Sequence, residues 1–244
     1  LLADDMGLGK TLQALAFCSW LTSLMSQGAI AKQPILIVAP VGLLKNWEIE
    51  QKIHLETGLG TCCRAYGEHL KILKSGSHKA GTAKLDVSSI SNADWVLANY
   101  ETVSEYQMTF GAVKFAAVIF DEAQKIKNPS ARMTHAAKAL NADFVLAMTG
   151  TPVENRLADL WCISDTVQPG ALADLRSFSS RYEGATDESN LMELRKLIWH
   201  EPDSPQPKLM LRRLKSEKLK GLPQKHAHFI QYPMPVAQMD CYKE

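Results

Sequence analysis

An α/β architecture built on a doubly wound parallel sheet follows from three features of the chain. Short apolar runs such as Ile35-Leu36-Ile37-Val38-Ala39 and Ala116 to Phe120 have strand length and no polar alternation, as expected of strands covered on both faces. Segments with helical spacing separate these runs. The residues suited to chemistry fall where strands end, which is where open parallel sheets receive ligands. Composition agrees: 244 residues with 46% hydrophobic content can bury a core as one large domain, or one domain with an insertion. Five scattered cysteines without C-x-x-C spacing exclude a disulfide framework and a zinc site. A net charge of +1 removes any global basic footprint, so contact with a polyanion has to be local. No apolar run approaches the ~18 residues of a membrane helix and the start lacks a basic signal region, so a soluble protein of the cytosol or nucleus is expected.

The elements follow in order. Leu2-Ala3-Asp4-Asp5-Met6-Gly7-Leu8-Gly9-Lys10-Thr11-Leu12-Gln13 reads as a phosphate-binding loop running into a helix. In such a loop backbone N–H groups surround the phosphates of a nucleotide, Lys10 reaches the β/γ-phosphates, and the Thr11 hydroxyl ligates Mg²⁺. Asp4 stands where the strict pattern G-x-x-x-x-G-K-[ST] has its first glycine, so the loop needs a partner motif. The strand that feeds the loop is expected ahead of Leu1, and the sequence reads as cut at both ends. Thr11 to about Met25 predicts a helix burying Leu12, Leu15, Ala16 and Trp20. Ile35 to Ala39 is a strand ending at Pro40, followed by a helix from near Leu43 to His54 in which Leu43 and Trp47 read as packing residues. Thr61 to Ala93 predicts a short strand at Cys63 to Tyr66, then a solvated loop with Lys71, Lys74, Lys79 and Lys84; Ala93 to Ala98 is the next strand.

Ala116 to Phe120 delivers Asp121 and Glu122 to a strand end, the partner the loop requires. By residue type, Asp121 suits holding Mg²⁺ directly or through water, and Glu122 suits orienting or deprotonating an attacking water. Asn128 predicts a helix N-cap with Pro129 at the first helical position, and Met133, Ala136, Ala137 and Leu140 on the buried face. Phe144 to Met148 is a fifth strand, ending in Thr149-Gly150-Thr151-Pro152. A helix from Glu154 to about Val167 buries Leu157, Leu160 and Trp161. Leu172 to Tyr182 and Leu191 to Trp199 then read as short helices, and Pro202, Pro205 and Pro207 as a loop. Lys208, Arg212, Arg213, Lys215, Lys218, Lys220 and Lys225 form a basic stretch that suits a solvated helix face as well as it suits bracing between lobes or contact with DNA phosphate. His226 to Gln231 predicts a last strand and Pro235 the start of a helix.

Asp-Asp-Met-Gly-Leu-Gly-Lys-Thr, Asp121-Glu122-Ala123-Gln124 and Thr149-Gly150-Thr151-Pro152-Val153-Glu154-Asn155-Arg156, in that order, resemble the motifs of Swi/Snf-type ATPases, helicase-like DNA translocases of superfamily two. Further matches extend from Leu1 to about Gln224. The resemblance implies a RecA-like ATP-binding lobe over residues 1–167, truncated at its N-terminal side, and a helical protrusion over 168–207. Residues 208–244 would hold the basic segment, the last strand and the start of a connection to a second RecA-like lobe. It implies ATP hydrolysis with Mg²⁺, coupled to movement along double-stranded DNA. Gly7, Leu8, Gly9, Lys10 and Thr11 would hold the nucleotide, Lys10, Asp121 and Glu122 would carry the chemistry, and Gln124 would sense the γ-phosphate. Pro40, Lys45, Asn99, Thr149, Gly150, Thr151, Arg212 and Arg213 would face DNA or couple it to the nucleotide. Most eukaryotic relatives carry His where this chain has Gln124, which suggests the bacterial side of the family, or a phage or archaeal relative; the location implied is the bacterial cytoplasm at the nucleoid, or the nucleus if the protein is eukaryotic. A second lobe would supply an arginine finger, worth ~10³ to 10⁵ in rate. A strand-separating helicase usually carries Asp at Gln124 and Ser-Ala-Thr in place of Thr149-Gly150-Thr151; a silent nucleotide- or DNA-binding scaffold is opposed by the intact Lys10, Thr11, Asp121 and Glu122.

Overall fold

The computed structural model describes residues 1–74, 84–152, 156–183, 188–199, 208–218, 228–230 and 232–243. Five parallel strands, β1 (Ile35–Val38), β2 (Cys62–Ala65), β3 (Trp95–Ala98), β4 (Lys114–Asp121) and β5 (Asn141–Met148), form a sheet in the order β2-β3-β1-β4-β5. Register aligns the strand ends: Val38 stands between Ala98 and Phe120, and Asp121 beside Met148. Alternate residues feed two separate cores, because successive side chains of a strand leave opposite faces. Leu36, Val38, Val96, Ala98, Val118 and Phe120 pack with α5 (Tyr100–Glu105), α6 (Gln107–Gly111), α7 (Arg132–Lys138) and α8 (Leu157–Val167). Ile35, Ile37, Trp95, Leu97, Ala117 and Ile119 pack with α1 (Lys10–Ser26) and α2 (Val41–His54). The doubly wound parallel sheet expected from the continuous apolar runs is what forms.

Several local expectations give way to tertiary context. α1 buries Ala14, Leu15, Cys18 and Leu21, whereas Leu12 is 45% and Trp20 57% exposed. Ala16, also expected on the buried face, is exposed, and Phe17 reaches Phe144 at a ring separation of 5.0 Å. The loop expected after β2 contains α3 (His69–Leu73) and α4 (Val87–Ser91), which bury Leu73 and Ile90. Lys79 lies outside the described residues. Asn128 does not cap a helix: its Oδ1 accepts from the Ser130 N–H at 3.0 Å and hydroxyl at 2.8 Å, an Asx turn, and α7 begins only after Ala131. α8 begins at Leu157, with Val153 to Asn155 outside the described residues. α9 (Leu175–Tyr182) and α10 (Glu188–Ile198) place Phe178, Tyr182, Leu194 and Ile198 in the same buried cluster as Phe120 and Trp161.

The approach to the loop is part of the sheet. The Leu2 N–H donates to Ala147 O at 2.8 Å, and the Thr149 N–H donates to Leu2 O at 3.1 Å. On the other side the Ala3 N–H donates to Leu211 O at 2.7 Å, and the Leu211 N–H to Leu1 O at 2.9 Å. Leu2 is therefore bridged on one side to Met148 at the end of β5 and on the other to Leu211, so pairing that the sequence placed ahead of Leu1 begins within the described chain as isolated bridges.

This pairing also corrects the reading of the basic stretch. Arg213 is neither on a solvated helix nor free for phosphate: its Nε donates to both Asp4 carboxylate oxygens at 3.1 Å, its backbone N–H to Asp4 Oδ1 at 2.9 Å, and its terminal nitrogen to Asp4 and Gln13. Arg212 donates to Ala3 O at 3.3 Å and lies 3.7 Å from the Asp5 carboxylate. Asp4 is 0% exposed, and a carboxylate so enclosed has to be paired.

The chain divides after Leu214. The second unit, Lys215–Glu244, contains α11 (Lys215–Lys218) and α12 (Val236–Lys243). Of the strand expected at His226 to Gln231, the described residues 228–230 form neither helix nor strand; Lys220 and Lys225 lie outside the described residues. Among the described residues no helix is long and apolar enough to cross a membrane.

The Asp4 pair has a signed pH dependence. Burial pushes its carboxyl up, but the hydrogen bonds and charge of Arg213, with Gln13, outweigh burial and hold it below the ordinary carboxylate value. The pair's stabilisation is therefore complete above about pH 4 and is lost as pH falls through the lowered value. Asp4→Asn is expected to lower unfolding stability by about 2 kcal/mol at pH 7, less than the ~3–5 for breaking a fully enclosed pair because 34% of the Arg213 side chain is open to solvent. In urea titrations the gap to the parent should narrow below about pH 4; a gap independent of pH would show that the pair is not what stabilises this corner.

Candidate nucleotide site

The loop before α1 is shaped by two glycines. Gly7 and Gly9 have φ of 81° and 73°, a region costly to residues with a Cβ, and Gly9 is the N-cap of α1. No side chain caps α1, so its first N–H groups are left for an anion, with the positive end of the helix dipole behind them. The Lys10 ammonium folds back on the loop, donating to Asp4 O at 2.8 Å and Asp5 O at 3.3 Å. Gln13 donates to Leu8 O at 3.1 Å, which fastens the loop to the first turn of the helix.

The end of β4 faces this loop. Asp121 is 8% exposed; its Oδ2 accepts from the Trp47 indole N–H at 2.9 Å and its Oδ1 from the Glu122 N–H at 3.0 Å. The Tyr100 hydroxyl donates to the Asp121 carbonyl at 2.7 Å. Burial pushes the Asp121 carboxyl above its ordinary value; the Trp47 hydrogen bond opposes this and the neighbouring Glu122 charge reinforces it. Glu122 has φ 53° and ψ 52°, a left-handed backbone costing a non-glycine residue about 1–2 kcal/mol. That turn ends the strand between the two acids and starts the 3₁₀ segment Ala123–Ile126. Within it the Gln124 amide donates to Glu122 Oε2 at 2.7 Å, while Gln124 Oε1 accepts from the Thr149 hydroxyl at 2.8 Å. Thr149 Oγ1 accepts in turn from the Thr151 N–H at 3.0 Å, so a continuous hydrogen-bonded path runs from Glu122 to the end of β5.

A cavity of about 540 Å³ is bordered by Gly7, Gly9, Lys10 and Thr11 on one side and by Asp121 and Glu122 on the other. Leu8 does not line it, and Gln124 stands one residue behind Glu122. Gly150 lies against the loop: a Cβ there would come 2.9 Å from the Met6 side chain and 3.8 Å from Lys10 Nζ. Pro40 and Asn99 stand just past β1 and β3 on the same sheet edge, Lys45 lies within α2, and none of the three borders the cavity. Lys45 is exposed, and Asn99 Oδ1 accepts from the Thr102 N–H at 3.0 Å, capping α5. Arg212 and Arg213 stand on the sheet beside Asp4 and Asp5.

One wall was not anticipated. Leu43, Asn46, Trp47, Glu50 and His54 bring one face of α2 to the cavity. Their i, i+3, i+4, i+7, i+11 spacing puts them on one face of the helix, three of them polar. A second cavity, about 440 Å³ at the β2 edge, is lined by Thr61 to Arg64 and His69 and contains no carboxylate.

The donor set suits a magnesium ion that arrives with phosphate. Among the described residues no group of three or more His, Cys, Asp or Glu could hold a metal alone. The Thr11 hydroxyl and Asp121 carboxylate border one cavity, and Mg²⁺ typically takes one or two protein oxygens with phosphate and water supplying the rest.

The family model of the SNF2-related domain matches residues 1–244. The chain belongs to the SNF2-related family. It is 42% identical over 240 residues to the Zorya protein ZorD of Escherichia coli O139:H28, covering 92% of this chain and 21% of that protein. It is 31% identical over 248 residues to the putative ATP-dependent helicase/translocase YwqA of Bacillus subtilis, covering 100% of this chain and 24% of that protein. The SWI2/SNF2 ATPase core of Sulfolobus solfataricus, solved in complex with dsDNA, superposes with a TM-score of 0.67 at 30% identity over 89% of this chain and 40% of that one. The SNF2-related chain is thus RecA-like in fold, and it spans about a fifth to a quarter of the length of these curated relatives.

The path from Glu122 to Thr151 depends on a hydroxyl that is 0% exposed. Thr149→Val keeps the shape but removes both the donor to Gln124 and the acceptor for Thr151. The expected cost is about 1–3 kcal/mol, read as a lower urea midpoint with unchanged slope. A midpoint within experimental error of the parent would mean that water replaces the hydroxyl and the path is not structural.

Proposed function

We propose that the protein carrying this chain is a DNA-dependent ATPase that moves along double-stranded DNA and remodels protein–DNA complexes, with this chain as its ATP-binding lobe. The observation that carries the reading is the shared cavity of a phosphate loop and two acids at the strand ends of an SNF2-related domain. Lys10 binds the β/γ-phosphates, exchanging the Asp4 and Asp5 carbonyls for phosphate oxygens. Glu122 orients or deprotonates the attacking water, and its bond to Gln124 is the natural place for the γ-phosphate to be sensed. Thr11 and Asp121 would hold Mg²⁺, whose charge would offset the charge that develops on the phosphates.

The Gln124–Thr149–Thr151 path supports coupling to the track, because it ends on the sheet edge that also carries Pro40 and Asn99. Duplex DNA as that track is supported by the archaeal relative's complex with dsDNA. Residues 1–167 act as the ATP-binding lobe, 168–207 as the helical protrusion, and 208–244 as the passage to a second RecA-like lobe that closes the cleft and supplies an arginine finger. Gln124 favours a bacterial protein working at the nucleoid. What it displaces from DNA is set by other parts of the protein.

Two experiments test this. In the full-length protein Lys10→Ala should weaken ATP binding, whereas Glu122→Gln should keep binding and stop turnover; equal loss of binding in both removes the role given to Glu122. The protein should also use ATP to displace a third strand from a DNA triplex without separating a forked duplex. Binding should fall with salt, at ~0.9 log units per neutralised phosphate per log unit. Efficient unwinding of the fork, or activation by single-stranded RNA, would assign a strand-separating helicase.

A further inference from the structure

Trp47 treats its partner differently from other packed indoles of this chain. Trp95 and Trp161 donate their N–H groups to main-chain carbonyls, at 3.4 and 3.1 Å. Trp47 donates to a carboxylate, Asp121 Oδ2 at 2.9 Å, and its ring is 1% exposed. An indole N–H only donates, so the bond persists only while that oxygen carries a lone pair toward it. The other carboxylate oxygen accepts from the Glu122 N–H, and the Asp121 carbonyl accepts from Tyr100. Three directed donors from α2, the turn after β4 and α5 thus fix one residue, and rotating the carboxylate breaks two of the three bonds. Filling space requires none of this, since a phenyl or isobutyl group packs against Ala14, Leu15 and Ile119 without a donor.

We propose that Trp47 is a positioning residue for the metal: its indole N–H sets the Asp121 carboxylate so that its remaining lone pairs face the cavity bordered by Thr11. The inference rests on the reading of Asp121 as a magnesium ligand. It gives α2 a function beyond packing, because the helix that walls the cavity also sets the orientation of the acid opposite the loop. Partners that orient a metal-binding side chain typically account for 10- to 100-fold in metal affinity.

The test uses the full-length protein and separates nucleotide binding from metal binding. A fluorescent ATP analogue is titrated once with chelator and once with Mn²⁺, whose binding is followed independently by electron paramagnetic resonance. For Trp47→Phe the affinity with chelator should stay within about twofold of the parent, while the gain conferred by Mn²⁺ falls about 10- to 100-fold. Adding Trp47→Phe to Asp121→Asn should cost nothing further, since a residue that acts through Asp121 has nothing left to orient. A Mn²⁺ gain unchanged in Trp47→Phe, or equal weakening with chelator and with Mn²⁺, overturns the proposal. Asp121→Asn alone distinguishes the premise: if it leaves the Mn²⁺ gain intact, the reading of Asp121 fails first. Should Trp47→Phe lack a cooperative melt, benzothienylalanine at position 47 replaces the N–H by sulfur in a ring of the same shape, and the same two titrations decide.

Discussion

A parallel sheet buried on both faces leaves only its strand ends for ligands, and that constraint organises this molecule. β1, β3 and β4 are apolar on both sides because helices cover both, so polar chemistry cannot sit along them. It is displaced to the residues just past the strands, and parallel register brings those residues to one edge. Pro40, Asn99, Asp121 and Thr149 share that edge for this reason, although up to 109 positions separate Pro40 from Thr149 in the chain. The loop before α1 reaches the same edge because Leu2 pairs with the end of β5.

The site gathers charge where solvation is poor, and each charge is met by a directed partner. Asp4 has Arg213 and Gln13; Asp121 has Trp47 and the Glu122 N–H; Lys10 has two carbonyls. Burying any of these unpaired would cost several kcal/mol, a large share of the net stability of a domain. The partners come from distant parts of the chain, so the loop before α1, α2 and the segment around Arg213 are energetically one assembly. Glu122 adds a local cost in its left-handed backbone, which persists because Gln124 and Asp121 hold the residue on both sides.

How much of this was legible depended on whether the decisive contact was local. Ile35–Val38 and the core of β4 were readable because two-sided burial leaves an unbroken apolar run, and the loop and acids because their chemistry is contiguous. The buried face of α1 was not, since Leu12, Ala14, Leu15, Ala16, Phe17, Cys18, Trp20 and Leu21 are apolar around much of the helix and periodicity then carries little phase. Trp47 read as packing, which it is, but the partner of its N–H is 74 positions away. For Arg213 a solvated face, bracing between lobes and DNA phosphate all stayed open for the same reason, since Asp4 lies 209 positions away. At Asn128 the same side-chain chemistry serves an N-cap or an Asx turn, and the sequence does not choose between them.

The bond between Asp4 and Arg213 spans 209 positions, which orders events during synthesis. At the ~5–20 residues per second of a ribosome, about 10–40 s separate the emergence of the loop from that of the arginine that secures it. The loop before α1 is therefore secured by a contact that can form only after the intervening 209 positions have been made. Until then Asp4 has no counter-ion and Leu1 to Ala3 lack the neighbour on their outer side, so the nascent lobe exposes an open sheet edge next to an unfinished nucleotide loop. A chain interrupted before Arg213 would lack the pair that secures Asp4, at the start of the loop before α1.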